Sequence, residues 1–311
     1  MEVQIQHLRY FAAVAEHRHF TRAAASLGVA QPTLSRQVHT LETDLGAELF
    51  HREHGTVTLT PAGEVLLPIA RRILADADTA RREVNELVGL RRGRVRLGAT
   101  PSLAAALVPP VLRRFRAAYP GIELHIEQSG SHDLVRHLTG GELDLALIIV
   151  PEQGTDPAVQ AETILRESLV VVSARDEPFT APVHIADLRD RPLVMFRAGY
   201  DLRDATLDAC HRAGFEPNFV VEGGEMDTVL GFVEAELGIA LVPGMVLTGR
   251  PRLRATPLAP PGIRRTVALA HRRESPLSHA AAALRETLLG HVAEAELPAG
   301  VDRDPGVAGA R

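Results

Sequence analysis

The stretch from Phe20 to Leu41 concentrates side chains suited to contact with nucleic acid. Arginine and glutamine match the hydrogen-bonding edges of guanine and adenine, and threonine and serine hydroxyls suit phosphates. Residues 17–41 hold three arginines and no carboxylate, although the whole chain has a net charge of −5. A positive stretch within an acidic chain is typical of a surface that faces phosphates. The candidate DNA contacts here are Thr21, Arg22, Gln31, Pro32, Thr33, Ser35, Arg36 and His39.

Two short helices joined by a tight turn would position these side chains. Thr21 is predicted to cap the first helix, and Gly28 to end it where a left-handed backbone costs little. Pro32 suits the first turn of a second helix that begins at about Gln31. An ordinary helical hairpin would show the same pattern, but the local positive charge favours a helix-turn-helix that reads the major groove. The predicted buried face of the second helix is formed by Leu34, Val38 and Leu41.

Composition limits the class of protein. A chain of 311 residues fits two or three domains, and its 45% apolar content can supply their cores. All 34 basic residues are arginine, for which a bias in genomic base composition is the simplest explanation. The absence of a signal pattern, of a long apolar run and of any second cysteine beside Cys210 predicts a cytoplasmic protein. Residues 297–311, rich in Gly, Pro and Ala, are predicted to be disordered.

A long helix is predicted from Pro61 to about Leu90. Its apolar residues recur every three or four positions, close to a heptad pattern. Such a helix either packs on its own domain or pairs with a second copy, and a two-fold DNA reader favours pairing. Pro68 is a candidate kink. The apolar seam comprises Ile69, Ile73, Ala77, Ala80, Val84 and Leu87.

Beyond residue 92 the pattern changes to alternating strands and helices. It predicts a helix over 103–119, a strand over 168–173 and a parallel sheet covered on both faces. Two open α/β units of this kind form a cleft, and ligands bind where the strands end and the helices begin. The sequence therefore predicts a second, ligand-binding region.

Residues 8–63 resemble the N-terminal domain of LysR-type transcriptional regulators. The resemblance rests on Leu8, Phe11, VAE (14–16), FTRAA (20–24), QPTLSRQV (31–38), LE (41–42), LG (45–46), LF (49–50) and LTPAG (59–63). In the wing, residues 51–58, this chain has Gly55 and Thr56 where family members often carry basic residues. Arg52 and His54 are the remaining basic candidates there.

The resemblance, weaker over the rest of the chain, implies an α/β protein with three parts. These are a winged helix-turn-helix over 1–60, a dimerising linker helix and hinge over 61–92, and a two-lobed α/β effector domain similar to periplasmic solute-binding proteins. Lobe I takes residues 93–165 and 266–296, and lobe II takes 166–265. The implied partners are promoter DNA, a small-molecule effector, one or three further copies of the chain and, as a further candidate, RNA polymerase.

The resemblance also implies where the effector binds. Family members commonly contact their effector at strand ends and helix starts, where free N–H groups favour an anion. Each serine or threonine could instead cap its own helix, but the set together favours a site. Arg197 is the only charged candidate and indicates a carboxylate or other anionic metabolite. The candidate effector contacts are Thr100, Ser102, Gln128, Ser129, Ser131, Phe196, Arg197 and Met226.

Other classes of protein find less support. No catalytic constellation, metal site or cofactor motif is evident, and His132 and His137 lack further ligands at suitable spacing. A secreted solute-binding protein would not need the first 60 residues, and an enzyme would need a partnered general base. Peroxide-sensing members of the family pair two cysteines within one chain, which a chain with Cys210 alone cannot do.

Overall fold

The computed structural model describes residues 3–53, 56–87, 93–151, 154–175, 179 and 181–308. The chain divides into two compact units, one of residues 1–90 with 139–142, the other of residues 91–138 with 143–311. No helix among the described residues is both long enough and apolar enough to cross a membrane.

The first unit is a winged helix-turn-helix followed by a long helix. Phe11, Leu34 and Phe50 lie in its core, and the rings of Phe11 and Phe50 are 5.3 Å apart. The strands β1 and β2 pair antiparallel as the wing. The elements are α1 (Ile5–His17), α2 (Phe20–Ser26), α3 (Gln31–Leu45), β1 (Phe50–Glu53), β2 (Thr56–Leu59) and α4 (Pro61–Leu87).

The predicted start of α3 at Gln31 is confirmed, and the predicted cap of α2 is wrong. The residue that caps α2 is His19, whose Nδ1 accepts a hydrogen bond of 3.2 Å from the backbone N–H of Thr21. Thr21 therefore lies inside the first turn, because a histidine ring two positions earlier satisfies the free N–H. Gly28 has the predicted left-handed backbone, with φ of 66°.

The second unit contains a mixed sheet with helices against it. Its strands are β3 (Gly93–Ala99), β4 (Ile122–Gln128), β5 (Leu145–Val150), β6 (Val159–Ala174), β7 (Leu193–Met195), β8 (Phe219–Glu222), β9 (Ala240–Pro243), β10 (Leu253–Pro257), β11 (Arg264–Arg272) and β12 (Val301–Arg303). Its helices are α5 (Pro101–Ala106), α6 (Val108–Ala118), α7 (Ser131–Thr139), α8 (Asp201–Arg212), α9 (Met226–Glu234), α10 (His279–Glu294) and α11 (Pro305–Ala308).

The predicted parallel pairing is found in only part of the sheet. In the eight-stranded sheet the pairs β3–β4 and β3–β5 are parallel, whereas β11 pairs antiparallel with β5 and β6. The strands β7 and β8 pair parallel in a separate two-stranded sheet. The strand β6 is longer than the predicted 168–173. It pairs with β11 in its first part and with β9 and β10 in its second, and so runs from lobe I into lobe II. Charged residues such as Glu162 and Arg166 interrupt the apolar pattern in its first part, so a prediction based on apolar residues does not include that part.

Two further predictions are wrong. The helix predicted over 103–119 is broken at Leu107 into α5 and α6. Pro109 and Pro110 lack the N–H groups that would continue the first helix into the second. The segment from 297, predicted to be disordered, is ordered as far as residue 308. Val301 is buried, β12 pairs antiparallel with β6, and Nε of Arg303 donates to the carbonyl of Val292 at 2.8 Å.

Candidate functional site

The start of α3 presents a polar surface. Leu34, Val38 and Leu41 are fully buried, as predicted, so the opposite face of the helix is held outward. Ala30, the residue before the helix, offers no side-chain cap to the free N–H groups. The exposed candidates are Thr21, Arg22, Gln31, Pro32, Thr33, Arg36 and His39, with Ser35 partly exposed. This geometry suits insertion into a major groove, with N–H groups available to phosphate.

The wing candidates are less well defined by the structure. The backbone of Arg52 lies in β1 opposite Val57. The side chain of Arg52 and the whole of His54 lie outside the described residues, so both remain predictions.

The seam predicted on the long helix is uncovered in the single chain. Ile69 and Ile73 are each 39% exposed and Val84 is 60% exposed, whereas Ala70 is buried in the core of the first unit. The side chain of Leu87 lies outside the described part. An exposed apolar row along a helix marks a contact surface.

A second site lies in the cleft between the lobes of the effector domain. Its pocket is narrow and has room for about one water molecule. Three predicted contacts, Thr100, Ser102 and Arg197, line it, together with Pro101, Gly130, Gly199, Tyr200, Asp201 and Arg265. The polar residues that the prediction placed at strand ends therefore do converge in part.

The other predicted contacts lie around this pocket rather than in it. Phe196 is buried and its ring stacks on that of Tyr200 at 4.6 Å. Ser129 donates to Asp133 at 3.3 Å, Gln128 is exposed at the end of β4, and Met226 is buried in the core. Ser131 reaches the pocket through Asp201, to whose Oδ2 its hydroxyl donates at 2.7 Å.

Arg197 is not the only charged group in the cleft. Arg265, on β11, donates from Nη2 to the hydroxyl of Ser102 at 2.9 Å and from Nε to Glu167 at 2.5 Å. The sequence offered one weak signal for it, a pair of arginines, 264 and 265, that open an otherwise apolar strand. Only the pairing of β11 with β6 shows that the second of them points inward.

Arg197 itself is already paired. Its Nε donates to Glu225 at 2.6 Å, and this hydrogen bond raises the pKa of the guanidinium above its ordinary value. Arg197 also lies 6.0 Å from the ring centre of Tyr200. The pKa of Tyr200 is raised as well, first by burial and then by the negative charge of Glu225, so the hydroxyl keeps its proton.

Comparison with known proteins identifies the family of the chain. Residues 5–64 match the family model described as a bacterial regulatory helix-turn-helix protein of the lysR family, and residues 89–293 match the LysR substrate binding domain. The chain belongs to the LysR family. It is therefore a DNA-binding transcriptional regulator with an effector-binding domain.

Curated LysR-family relatives are similar along nearly the whole chain. The transcriptional dual regulator GltC of Bacillus subtilis is 31% identical over 86% of this chain and 90% of its own length. The transcriptional dual regulator OxyR of Escherichia coli is 30% identical over 93% of this chain and 97% of its own length.

Solved LysR-family structures agree with the fold. A full-length cysteine variant of OxyR from Pseudomonas aeruginosa covers 98% of this chain and 99% of its own, with a TM-score of 0.74 at 28% identity. Full-length CbnR in complex with its target DNA covers 92% of this chain and 99% of its own, with a TM-score of 0.65 at 25% identity.

Cys210 is the only cysteine in the sequence. Cys210 is fully buried inside α8, and burial raises the pKa of its thiol to about 11. A thiolate is the reactive form, so this environment suppresses reaction with peroxide.

Proposed function

We propose that LysR-family regulation is carried in this chain by three parts. The start of α3 reads promoter DNA, α4 pairs with a second copy, and the cleft lined by Thr100, Ser102 and Arg265 binds a small metabolite. The observation that carries the proposal is the exposed polar start of α3 above a fully buried apolar face.

DNA reading would rest on few side chains. Arg36 is exposed on α3, and Gln31 stands at its first position. A bidentate contact from arginine to guanine or from glutamine to adenine discriminates against other bases by about 1–3 kcal/mol. Thr33 and Ser35 are suited to phosphates and would fix the register of the helix in the groove.

The exposed row on α4 supports an assembly of two or more copies. A dimer places two reading helices about 34–36 Å apart, one turn of DNA, or at a multiple of that distance. CbnR, a relative at 25% identity, has been solved in complex with its target DNA. By analogy, we propose a homodimer or homotetramer on promoter DNA, with RNA polymerase as a further candidate partner and the cytoplasm as the location.

The metabolite would act by shifting a conformational equilibrium. A ligand that binds one arrangement of the lobes more tightly raises the population of that arrangement. If this arrangement also changes how α4 presents the reading helices, then ligand and DNA alter each other's affinity by the same factor.

A footprint tests this function. The DNA upstream of the chain's own gene is digested with DNase in the presence of the full-length protein, with and without a small-molecule extract of the source cells. We expect the protein to protect a segment of this DNA and the extract to change the protected region. Thr100→Val should abolish the effect of the extract and leave the protection in place. Thr287→Val, on α10 and away from the pocket, is the matched control.

Two other functions would give a different result. A solute-binding protein or an enzyme built on the same α/β lobes would protect no DNA. Protection that is absent at low salt, where phosphate contacts are strongest, would exclude the proposed function.

A further inference from the structure

The charges around the cleft do not favour a simple anion. Arg265 already faces Glu167 at 2.5 Å, and Arg197 already faces Glu225 at 2.6 Å. Each guanidinium is therefore neutralised within the protein. Among the described residues Asp201 has a hydroxyl partner and no cationic one, so the cleft retains one uncompensated carboxylate. An anion placed here would meet a like charge.

Hydrogen-bond donors line the same pocket. Thr100 Oγ1 and the Tyr200 hydroxyl are both buried, and neither has a hydrogen-bond partner in the described part of the chain. Leaving a buried hydroxyl unpaired is costly, so both are available to a bound acceptor. The guanidinium of Arg265 lies in the same pocket, held in place by Glu167.

We propose that the cleft binds a zwitterionic α-amino acid, with its carboxylate at Thr100, Tyr200 and Arg265 and its ammonium at Asp201. This inference rests on the proposed function, in which the cleft is the effector site. A ligand with no net charge suits a pocket whose two guanidinium groups are already paired. Its carboxylate suits the hydrogen-bond donors, and its ammonium suits the one carboxylate that has no cationic partner among the described residues.

The same residues explain how such a ligand would be sensed. Ser131 on α7 donates to Asp201 on α8 across the cleft, and Ser131 Oγ accepts from the backbone N–H of Ile149 at 2.9 Å. Gly130 and Gly199 pass close to each other, since a Cβ on Gly130 would lie 3.3 Å from the Gly199 carbonyl. The pocket now has room for about one water molecule, so the lobes would have to part to admit an amino acid. The ammonium would then take over or share the carboxylate that now links the lobes, so binding would change how they close.

Calorimetry with the full-length protein tests the inference. The probes are the twenty standard L-amino acids. For each amino acid that binds, two analogues are also tested: the carboxylic acid that lacks the amine, and the amine that lacks the carboxylate. We expect at least one amino acid to bind and both analogues to bind at least tenfold more weakly. Because this comparison uses only the unaltered protein, it does not depend on the folding of a variant.

A variant then locates the ammonium. Asp201→Asn should weaken the amino acid at least tenfold and leave the deaminated acid unchanged. Asp208→Asn is the control, since Asp208 is exposed on the same helix and does not line the pocket.

The outcomes separate this inference from the proposed function. The proposal of a zwitterionic ligand is overturned if no amino acid binds. It is also overturned if a deaminated acid binds as tightly as its parent amino acid. If a deaminated acid binds the unaltered protein but not Thr100→Val, the cleft remains the effector site. A ligand that alters the footprint and binds equally well to Thr100→Val and Asp201→Asn would remove the cleft from both proposals.

Discussion

Glu167 and Arg265 are direct neighbours on β6 and β11, and their side chains meet at 2.5 Å with 0% and 8% exposure. They lie where both strands run between the lobes. The pair fixes the guanidinium of Arg265 toward Ser102 and the pocket. The positive charge that Arg265 brings to the pocket is thus held by the strands that join the lobes.

Removing one partner of this pair should be costly. Glu167→Ala would leave a buried guanidinium without its carboxylate, and we expect a loss of about 3–5 kcal/mol in the free energy of unfolding. Urea denaturation of the full chain measures it. Glu123→Ala is the control, because Glu123 lies 3.7 Å from Arg94 in an exposed pair, for which about 0–1 kcal/mol is expected. Equal losses in the two variants would contradict a structural role for the buried pair.

Arg36→Ala should weaken specific DNA binding by about 1–3 kcal/mol, the usual contribution of one good base contact. Titration of the promoter fragment in a gel shift measures the change, against an unrelated fragment for non-specific binding. Arg212→Ala removes an exposed arginine of the effector domain and should leave affinity unchanged. Unaltered affinity and footprint in the Arg36 variant would take this residue out of the interface.

Ile73→Glu should weaken self-association. Burying a carboxylate in a pairing seam costs several kcal/mol unless it is protonated. Sedimentation of the full chain over a range of concentrations gives the dissociation constant. Arg72→Glu, exposed on the same helix and outside the apolar row, is expected to have little effect. A monomer–oligomer equilibrium that both variants leave untouched would place the contact elsewhere.

The Cys210 thiol should react slowly in the folded protein. With a pKa near 11 instead of about 9, it forms roughly a hundredfold less thiolate at pH 8. Labelling with a disulfide reagent, native against urea-unfolded, measures the difference. Because the folded pKa is raised, the neutral thiol stabilises the fold below pH 9, and this contribution is lost as the pH rises toward 11. Equal labelling rates in the two states would refute the burial.

Deleting residues 297–311 should loosen the strands that join the lobes. The deletion removes the buried Val301 and the hydrogen bond of 2.8 Å from the Ser168 N–H to the Gly300 carbonyl. We expect a loss of roughly 3 kcal/mol or more, from apolar burial and charged hydrogen bonds. Faster hydrogen exchange at the Ser168 amide would report the loss of its hydrogen bond directly. Unchanged exchange at the Ser168 amide in the deletion variant would contradict this role of the C-terminal segment.

Local patterns in the sequence predict the helix-turn-helix well. The start of α3 and the burial of Leu34 follow from spacing and proline placement within one segment. The proposed ligand site is different, because Arg265 and Asp201 reach the pocket only through the pairing of strands and the approach of the two lobes. Hydrophobic periodicity carries no information on such pairing, so both residues were missed.

The predicted disorder of the C-terminus failed for a related reason. Composition rich in Gly and Pro describes the local tendency of 297–311, whereas Val301 and Arg303 are ordered by contacts with residues far away in the chain. Arg197 was predicted to be the charged ligand contact, but its carboxylate partner Glu225 becomes a neighbour only in the folded lobe.

The placement of β6 also sets an order of events during protein synthesis. Every strand that pairs with β6, namely β9, β10, β11 and β12, is translated after it, the last at residues 301–303. The winged helix-turn-helix, by contrast, is built from contacts within its own short segment. Since local contacts form before distant ones, a chain still emerging from the ribosome can acquire its DNA-reading shape first. A nascent copy would then be able to hold DNA before it can sense any metabolite.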